Sequence, residues 1–120
     1  MMICVERVFN SETDILRGFP IKISDDFLLM TVVNDFHDEG FAVLRLSDIS
    51  DAYSKDSDVF YEKICIFEGL QNKIRQCIVK DVCSIKDVFQ QMANYDGFVS
   101  VQCENQREKC AFFLGKIIAI

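Results

Sequence analysis

The residues of this chain with the clearest chemical potential are carboxylates at short spacing. They occur in three places: Asp25-Asp26, Asp38-Glu39, and the run of Asp48, Asp51, Asp56 and Asp58. Paired carboxylates can bind Ca²⁺ or Mg²⁺ through oxygen, but the ligand order of an EF-hand is absent here. Aspartate is also common in turns, because its side chain hydrogen bonds to its own backbone. We therefore expect solvated acidic turns, with no metal site and no cofactor.

The distribution of charge is more informative than the net charge of −6. Residues 1–70 carry fourteen acids against six bases, and residues 71–120 carry five acids against seven bases. The acidity therefore belongs to the first half of the chain. Such a surface repels phosphate backbones and attracts basic proteins. The charge pattern argues against nucleic acid as a partner and favours a basic protein.

Catalytic motifs are absent from the sequence. The single histidine, His37, lies between Phe36 and Asp38 in a predicted turn, and a general base there would need a positioned partner. No nucleophile can be placed beside it, and the chain contains no G-x-S-x-G, Walker or H-E-x-x-H motif. We expect no enzymatic activity and predict a protein that acts by binding.

Six cysteines are distributed through the chain: Cys4, Cys65, Cys77, Cys83, Cys103 and Cys110. Most have apolar neighbours, and the nearest useful pair is spaced C-x5-C, which is not a zinc spacing. No run approaches a membrane span, and the opening residues lack the pattern of a secretory leader. We expect a cytoplasmic protein whose cysteines are small buried hydrophobes.

Apolar residues at every second position predict strands in the first half. The first strand lies within Ile15–Ser24 and is followed by a tight turn at Asp25-Asp26. The second, Phe27–Asn34, is apolar on both faces and must be covered on two sides. After a longer turn at residues 35–40 comes a third strand, Phe41–Leu46, and the chain leaves the sheet through residues 46–51. These three strands form an antiparallel meander.

The second half is predicted to contain two helices and a hairpin. One helix begins at Asp58, which is placed to cap it, and ends near Gly69. Residues 71–82 suit a helix or a short strand equally well. A second helix starts at Ser84, buries Ile85, Val88, Phe89 and Met92, and ends near residue 94. Strands at 98–103 and 109–120, the latter bent at Gly115, form the terminal hairpin.

Part of the meander resembles a family. Its motif runs from Gly18-Phe19 through Ser24-Asp25-Asp26-Phe27 to Asp38-Glu39-Gly40-Phe41 and Val43-Leu44-Arg45-Leu46, and a looser match ends in Phe112-Phe113-Leu114-Gly115-Lys116-Ile117. These residues resemble uncharacterised bacterial Sm-like proteins, which implies a small bent barrel. Sm-like barrels typically bind RNA through basic and aromatic loops, but the corresponding loops here are acidic.

These features predict a single α+β domain: a curled Sm-like or SH3-like meander (1–54) followed by two helices and a hairpin (55–120). Our main hypothesis is an acidic immunity or inhibitor protein that neutralises a basic toxin, such as a nuclease. The alternatives are an Sm-like RNA- or protein-binding module and a homo-oligomeric structural subunit. In the main hypothesis the acidic turns form one rim. This rim binds the partner through nine residues: Asp25, Asp26, Asp35, Phe36, Asp38, Glu39, Asp48, Asp51 and Tyr53.

Overall fold

The fold combines antiparallel strands with helices. A computed structural model describes residues 2–9, 11–34, 37–67, 69, 74, 76–95, 97, 99–103 and 111–116. The strands before residue 54 are β1 (Ile3–Phe9), β2 (Glu12–Gly18), β3 (Pro20–Ile23), β4 (Phe27–Asn34), β5 (His37–Arg45) and β6 (Ile49–Tyr53), with a 3-10 helix at Leu46–Asp48 before β6. The remaining elements are α1 (Asp56–Phe67), α2 (Ile85–Met92), β7 (Val99–Cys103) and β8 (Ala111–Gly115). The predicted α+β class is confirmed.

Strand β4 is the centre of the molecule because it is buried on both faces, as its sequence predicts. One face belongs to the helix-side core, which consists of Phe27, Leu29, Cys77, Val79, Val82 and Val88. The other belongs to the sheet-side core, which consists of Val5, Leu28, Met30 and Leu44. Full burial of an aliphatic side chain of this size stabilises the fold by about 2 kcal/mol. The two faces of one strand thus hold the N-terminal strands and the C-terminal half together.

A β-bulge interrupts the pairing of β4 with β5: Thr31 pairs with Phe41 and Val33 with Asp38, so the extra residue lies in β5. The alternation of β4 places Val33 on the same face as Phe27 and Leu29. Val33 nevertheless packs in a third cluster. This α1-side core consists of Met2, Phe19, Val33 and Cys65.

The first six strands form two three-stranded antiparallel sheets, ordered β2-β1-β6 and β3-β4-β5. The predicted meander corresponds to the second sheet and is confirmed. The β1–β2 hairpin and β6 were not predicted. Ile3 and Val5 alternate with Cys4 and Glu6 in a half-buried pattern, and this was the available signal for β1. Strand pairing does not close these sheets into a barrel within the described residues.

Two predicted boundaries in this half are corrected. Residues 37–40 belong to β5, whose first residue His37 pairs with Asn34, so these four residues are strand and not part of the predicted turn at 35–40. Residues 35 and 36 lie outside the described part. The exit loop at 46–51 contains the 3-10 helix and the start of β6. Strand β6 was not predicted because its Ser and Asp residues favour turns. Its pairing with β1 is decided by backbone hydrogen bonds.

The two sheets meet where β2 passes into β3. Only Phe19 separates the two strands, and its backbone N–H donates to Thr31 Oγ1 at 2.9 Å while its carbonyl accepts from Thr31 N–H at 2.9 Å. Gly18 makes this crossing possible. A Cβ added at Gly18 would lie 1.7 Å from the Thr31 carbonyl oxygen, which is far inside van der Waals contact.

Helix α1 begins two residues before the predicted start. Asp58 is therefore the third residue of the helix rather than its cap, and its carboxylate accepts a hydrogen bond from Lys55 N–H at 2.7 Å, as the acidic residue of a capping box does. Gly69 has φ +87° and its N–H donates to the Ile66 carbonyl at 3.0 Å. The predicted glycine stop is thus confirmed.

Helix α2 begins as predicted, because Ser84 Oγ accepts a hydrogen bond from Asp87 N–H at 3.1 Å. Val88 is 1% exposed, but Ile85 is 42% exposed, so its predicted burial is wrong. Residues 76–82 form neither a helix nor a strand. Ile74, the other described residue of that ambiguous segment, is helical.

Two further predictions concern cysteine burial and the C-terminal hairpin. Cys4, Cys65 and Cys77 are buried as predicted, whereas Cys83 is exposed; Cys110 lies outside the described residues, and the side chain of Cys103 is not described. The predicted terminal hairpin is confirmed by the antiparallel pairing of β7 with β8, which ends at Gly115.

Substitution of Gly18 tests the sheet crossing. We expect Gly18→Ala to lower the free energy of unfolding by about 3 kcal/mol or more, because the new methyl group forces the two backbones apart. Urea denaturation followed by circular dichroism measures the loss. The matched control is Gly115→Ala, where an added Cβ meets nothing within 4 Å. Equal urea midpoints for the two variants would contradict the role of Gly18.

Candidate binding surface

The β3–β4 turn presents Asp25 and Asp26 to solvent. Ser24 organises this turn: its Oγ accepts from Phe27 N–H at 3.1 Å and donates to the Val82 carbonyl at 2.6 Å. Ser24 N–H also donates to the Phe27 carbonyl at 2.9 Å. The turn is thereby held against the segment before α2, and both aspartates are exposed at its tip.

The 3-10 helix after β5 brings a third predicted residue to the same end of the molecule. Leu46 N–H donates to the Asp26 carbonyl at 2.8 Å, and Asp48 follows two residues later in the same helical turn. The backbone of Asp48 is therefore near that of Asp26.

A cleft of about 400 Å³ opens beside this turn, and we call it the acidic cleft. Its lining comes from three separate parts of the chain: Asp25, Asp26, Phe27, Arg45, Leu46, Ser47, Cys83, Ser84 and Ile85. Arg45 partly offsets the negative charge, and its guanidinium carbon lies 5.7 Å from the centre of the Phe27 ring. The cleft therefore combines exposed carboxylates with an apolar wall at Ile85.

Cys83 and Asp81 add to the chemistry of the acidic cleft. Asp81 Oδ1 accepts a hydrogen bond from Cys83 N–H at 3.0 Å. A hydrogen bond between the Cys83 side chain and Asp81 is the main cause that raises the pKa of Cys83 and lowers the pKa of Asp81. The thiol thus stays protonated and weakly nucleophilic at neutral pH, while the carboxylate adds a further negative charge at this end.

Sequence patterns did not identify Asp81, Ser84 or Ile85 as part of a site. They are almost sixty residues from Asp25 along the chain, and tertiary hydrogen bonds bring them close. Besides the bond from Ser24 to Val82, Lys22 Nζ donates to the Lys80 carbonyl at 2.9 Å. The only sequence signal was the predicted helix start at Ser84. It gives no information about which residues lie beside Ser84 in the fold.

Asp38 and Glu39 lie near the opposite end of the sheet. Phe27 pairs with Arg45 at one end of β4, whereas Val33 pairs with Asp38 near the other. Six residues of strand separate these pairs, about 20 Å at about 3.3 Å per residue. Asp38 and Glu39 lie in β5, their side chains are not described, and Asp35 and Phe36 lie outside the described residues. The structure does not bring the backbones of Asp38 and Glu39 to the acidic cleft.

Asp51 and Tyr53 occupy a third position, on β6 opposite Glu6 and Cys4 of β1. Asp51 is exposed. The Tyr53 hydroxyl donates to Glu6 Oε1 at 2.7 Å, and this hydrogen bond is the main cause that raises the pKa of Tyr53 to about 12. Among the described members of the predicted rim, Asp51 and Tyr53 therefore lie on a different sheet from the strands that flank Asp25 and Asp26.

Asp58, which the sequence places in the acidic run, is not a surface residue at all. It is 2% exposed, its Oδ2 accepts from Lys55 N–H, and the Cys4 thiol lies 3.8 Å from the same oxygen. Its Oδ1 lies 3.3 Å from Arg17 Nε but is not aligned for a hydrogen bond. Arg17 also stacks over Tyr61, with its guanidinium carbon 5.0 Å from the ring centre. The Asp58 carboxylate therefore connects α1 to the first sheet, and the charge of Arg17 compensates its negative charge.

Within the described residues no group of three or more His, Cys, Asp or Glu side chains is placed to hold a metal ion. In the same part of the chain no helix is long and apolar enough to span a membrane.

Comparisons with known proteins assign the chain to no family. No protein-family model, no curated protein and no solved structure matches it. The functional interpretation therefore depends on the surfaces described above.

The pH dependence of Tyr53 tests its bond to Glu6. Because its pKa is raised above the ordinary value of 10, Tyr53 contributes stability that is complete below about pH 10 and is lost as pH rises towards 12. Ultraviolet titration of the wild-type protein against Tyr53→Phe isolates the Tyr53 signal, which we expect to titrate late, and Glu6→Gln should move its pKa towards 10. A Tyr53 signal that is the same in the wild-type protein and in Glu6→Gln would contradict the bond.

Substitution of Asp58 tests its role in fastening α1. We expect Asp58→Ala to lower the free energy of unfolding by about 2 kcal/mol, because Lys55 N–H and Arg17 lose their acceptor. Asp58→Asn keeps an acceptor for the N–H and should lose less. Urea denaturation measures both, with exposed Asp51→Ala as the control. A loss from Asp58→Ala no larger than from Asp51→Ala would refute this role.

Proposed function

We propose that this protein is a non-enzymatic binding protein of the immunity or inhibitor type, which covers a basic surface of a toxin with its acidic cleft. The observation that carries the proposal is the position of Asp25 and Asp26, exposed at the mouth of a cleft with an apolar wall. A lysine or arginine side chain suits this chemistry. Its aliphatic stem can pack on Ile85 while its charged end meets the two carboxylates.

The charge of the whole chain supports the same partner. A net charge of −6 attracts a cationic protein at long range and raises the association rate at low salt. The apolar contact then slows dissociation. In this proposal Asp48 contributes to the long-range attraction, whereas Asp51 and Tyr53 lie on a different surface and are not central to binding.

The finer fold assignment is also a proposal. We infer that the first six strands are an open variant of the Sm-like or SH3-like small barrel. Two observations support this. At Gly18 and Phe19 the chain bends and passes from one three-stranded sheet to the other, and the 3-10 helix connects β5 of the second sheet back to β6 of the first. The alternative of RNA binding has less support, because the exposed turn at Asp25 and Asp26 is acidic.

The proposed function predicts that a neighbouring gene encodes a toxin with a basic C-terminal domain, and this domain is the partner used in the test. We expect a salt-sensitive complex, and we expect Asp25→Asn/Asp26→Asn to slow its association about tenfold at low salt, because two steering charges are lost. Stopped-flow fluorescence measures the rate. The matched control, Glu12→Gln/Asp51→Asn, removes the same charge elsewhere and should have a smaller effect.

Two results would refute the proposal. One is the absence of any complex between the wild-type protein and that neighbouring basic domain. The other is an equal effect of the two double variants, which would show that net charge alone matters and that the acidic cleft has no part in binding.

A further inference from the structure

A second cleft, also of about 400 Å³, opens beside the helix-side core. Four separate parts of the chain line it: β5, the segment before α2, the end of α2 with the residues after it, and β7. Its lining includes Phe41, Gln76, Ile78, Val79, Met92 and Tyr95. We call this cavity the uncharged cleft.

None of the described residues that line the uncharged cleft carries a charge, although 27% of the residues of the chain are charged. A charged group that entered such a site would lose its water without gaining an opposite charge, which is costly. The lining therefore selects a neutral ligand. The uncharged cleft shares no lining residue with the acidic cleft.

Three large side chains from distant parts of the chain meet at the uncharged cleft while remaining partly in water. Phe41 is 38% exposed, Ile78 39% and Tyr95 45%. Below them, Cys77 and Val79 are buried in the helix-side core. Scattered exposed apolar residues are ordinary, but three that converge on one concavity are typical of a ligand site.

The aromatic rings and the thioether of the uncharged cleft favour an aromatic ligand. Phe41 and Tyr95 can stack on a ring, and the sulfur of Met92 makes favourable contacts with ring edges. The Tyr95 ring lies against Gly97, where an added Cβ would be 2.6 Å from Tyr95 Cε1. The absence of a side chain at Gly97 thus gives the Tyr95 ring its place at the cleft wall.

A few polar groups at the uncharged cleft can orient a ligand. Within the described residues, neither the N–H nor the carbonyl of Ile78 makes a hydrogen bond, and the Tyr95 hydroxyl has no hydrogen-bond partner there. Small-molecule sites combine an apolar lining with a few such groups and have volumes of about 300–1,000 Å³. The uncharged cleft fits this description in both its composition and its volume.

We propose that the uncharged cleft binds a small neutral aromatic molecule, whose rings pack among Phe41, Met92 and Tyr95 and whose polar atom pairs with the backbone of Ile78. The occupant is a small molecule because four parts of the chain surround a volume of this size. It is neutral because the described lining offers no charge to a charged group. This site is independent of the acidic cleft.

The first experiment compares two fluorescent probes with the same rings. N-phenyl-1-naphthylamine is neutral and carries an N–H group, and we expect it to bind the wild-type protein saturably. 8-Anilino-1-naphthalenesulfonate adds a sulfonate and should bind about tenfold more weakly or worse. Both titrations are made at high salt, where the net charge of the protein is screened. No saturable binding of the neutral probe, or equal binding of both probes, overturns the proposal.

A second experiment places a charge in the uncharged cleft. Ile78→Asp should weaken binding of N-phenyl-1-naphthylamine about tenfold or more. The matched control is Ile66→Asp on α1, because Ile66 is 44% exposed, close to the exposure of Ile78, and is not part of the lining. Circular dichroism checks that both variants are folded. Equal affinities of the two folded variants for the probe overturn the proposal.

A third experiment locates the probe in the wild-type protein and decides the question if Ile78→Asp does not fold. Aromatic rings shift the NMR signals of nearby methyl groups. In protein labelled at its methionine methyl groups, N-phenyl-1-naphthylamine should shift the signal of Met92 and leave that of Met30, which lies in the sheet-side core, unchanged. Met92→Leu assigns the signal. A bound probe that leaves the Met92 signal in place overturns the proposal, whatever the result for toxin binding at the acidic cleft.

Discussion

The need to bury both faces of β4 is the constraint on which the rest of the structure depends. A strand with Phe27 and Leu29 on one face and Leu28 and Met30 on the other cannot lie at a surface without exposing one apolar row to water. One face packs against β1, and the other packs against Val88 and the segment before α2. Every described surface is arranged around these two contacts.

Polar contacts then determine how the outer elements attach to this centre. The Gly18 and Thr31 backbones approach so closely that only glycine is tolerated, and the buried Asp58 joins α1 to Arg17. Ser24 ties the β3–β4 turn to the carbonyl of Val82. The Asp58 carboxylate and the Ser24 hydroxyl thus connect separate elements of the fold. Composition alone assigns both groups to the solvated surface, but a buried polar group must find a partner.

The geometry of a meander explains why the acidic residues separate. Strands β4 and β5 are antiparallel, so the turn at Asp25 and Asp26 and the start of β5 near Asp38 lie at opposite ends of the sheet. The 3-10 helix brings Asp48 back to the first end, while Asp51 continues into β6 on the other sheet. The negative charge is therefore spread over several surfaces, and the acidic cleft is the part that also offers an apolar wall.

Local sequence determined the α+β class, the strands of the central sheet, the start of α2 at Ser84 and the glycine stop of α1, because alternation, capping and turn preferences act over a few residues. It missed β1, β2 and β6, the burial of Asp58 and the exposure of Ile85 and Cys83. These features depend on which distant segments share the two faces of β4 and on hydrogen bonds between residues far apart in the chain. Only the tertiary structure decided them, because no pattern of neighbouring residues shows which distant segment packs against a given side chain.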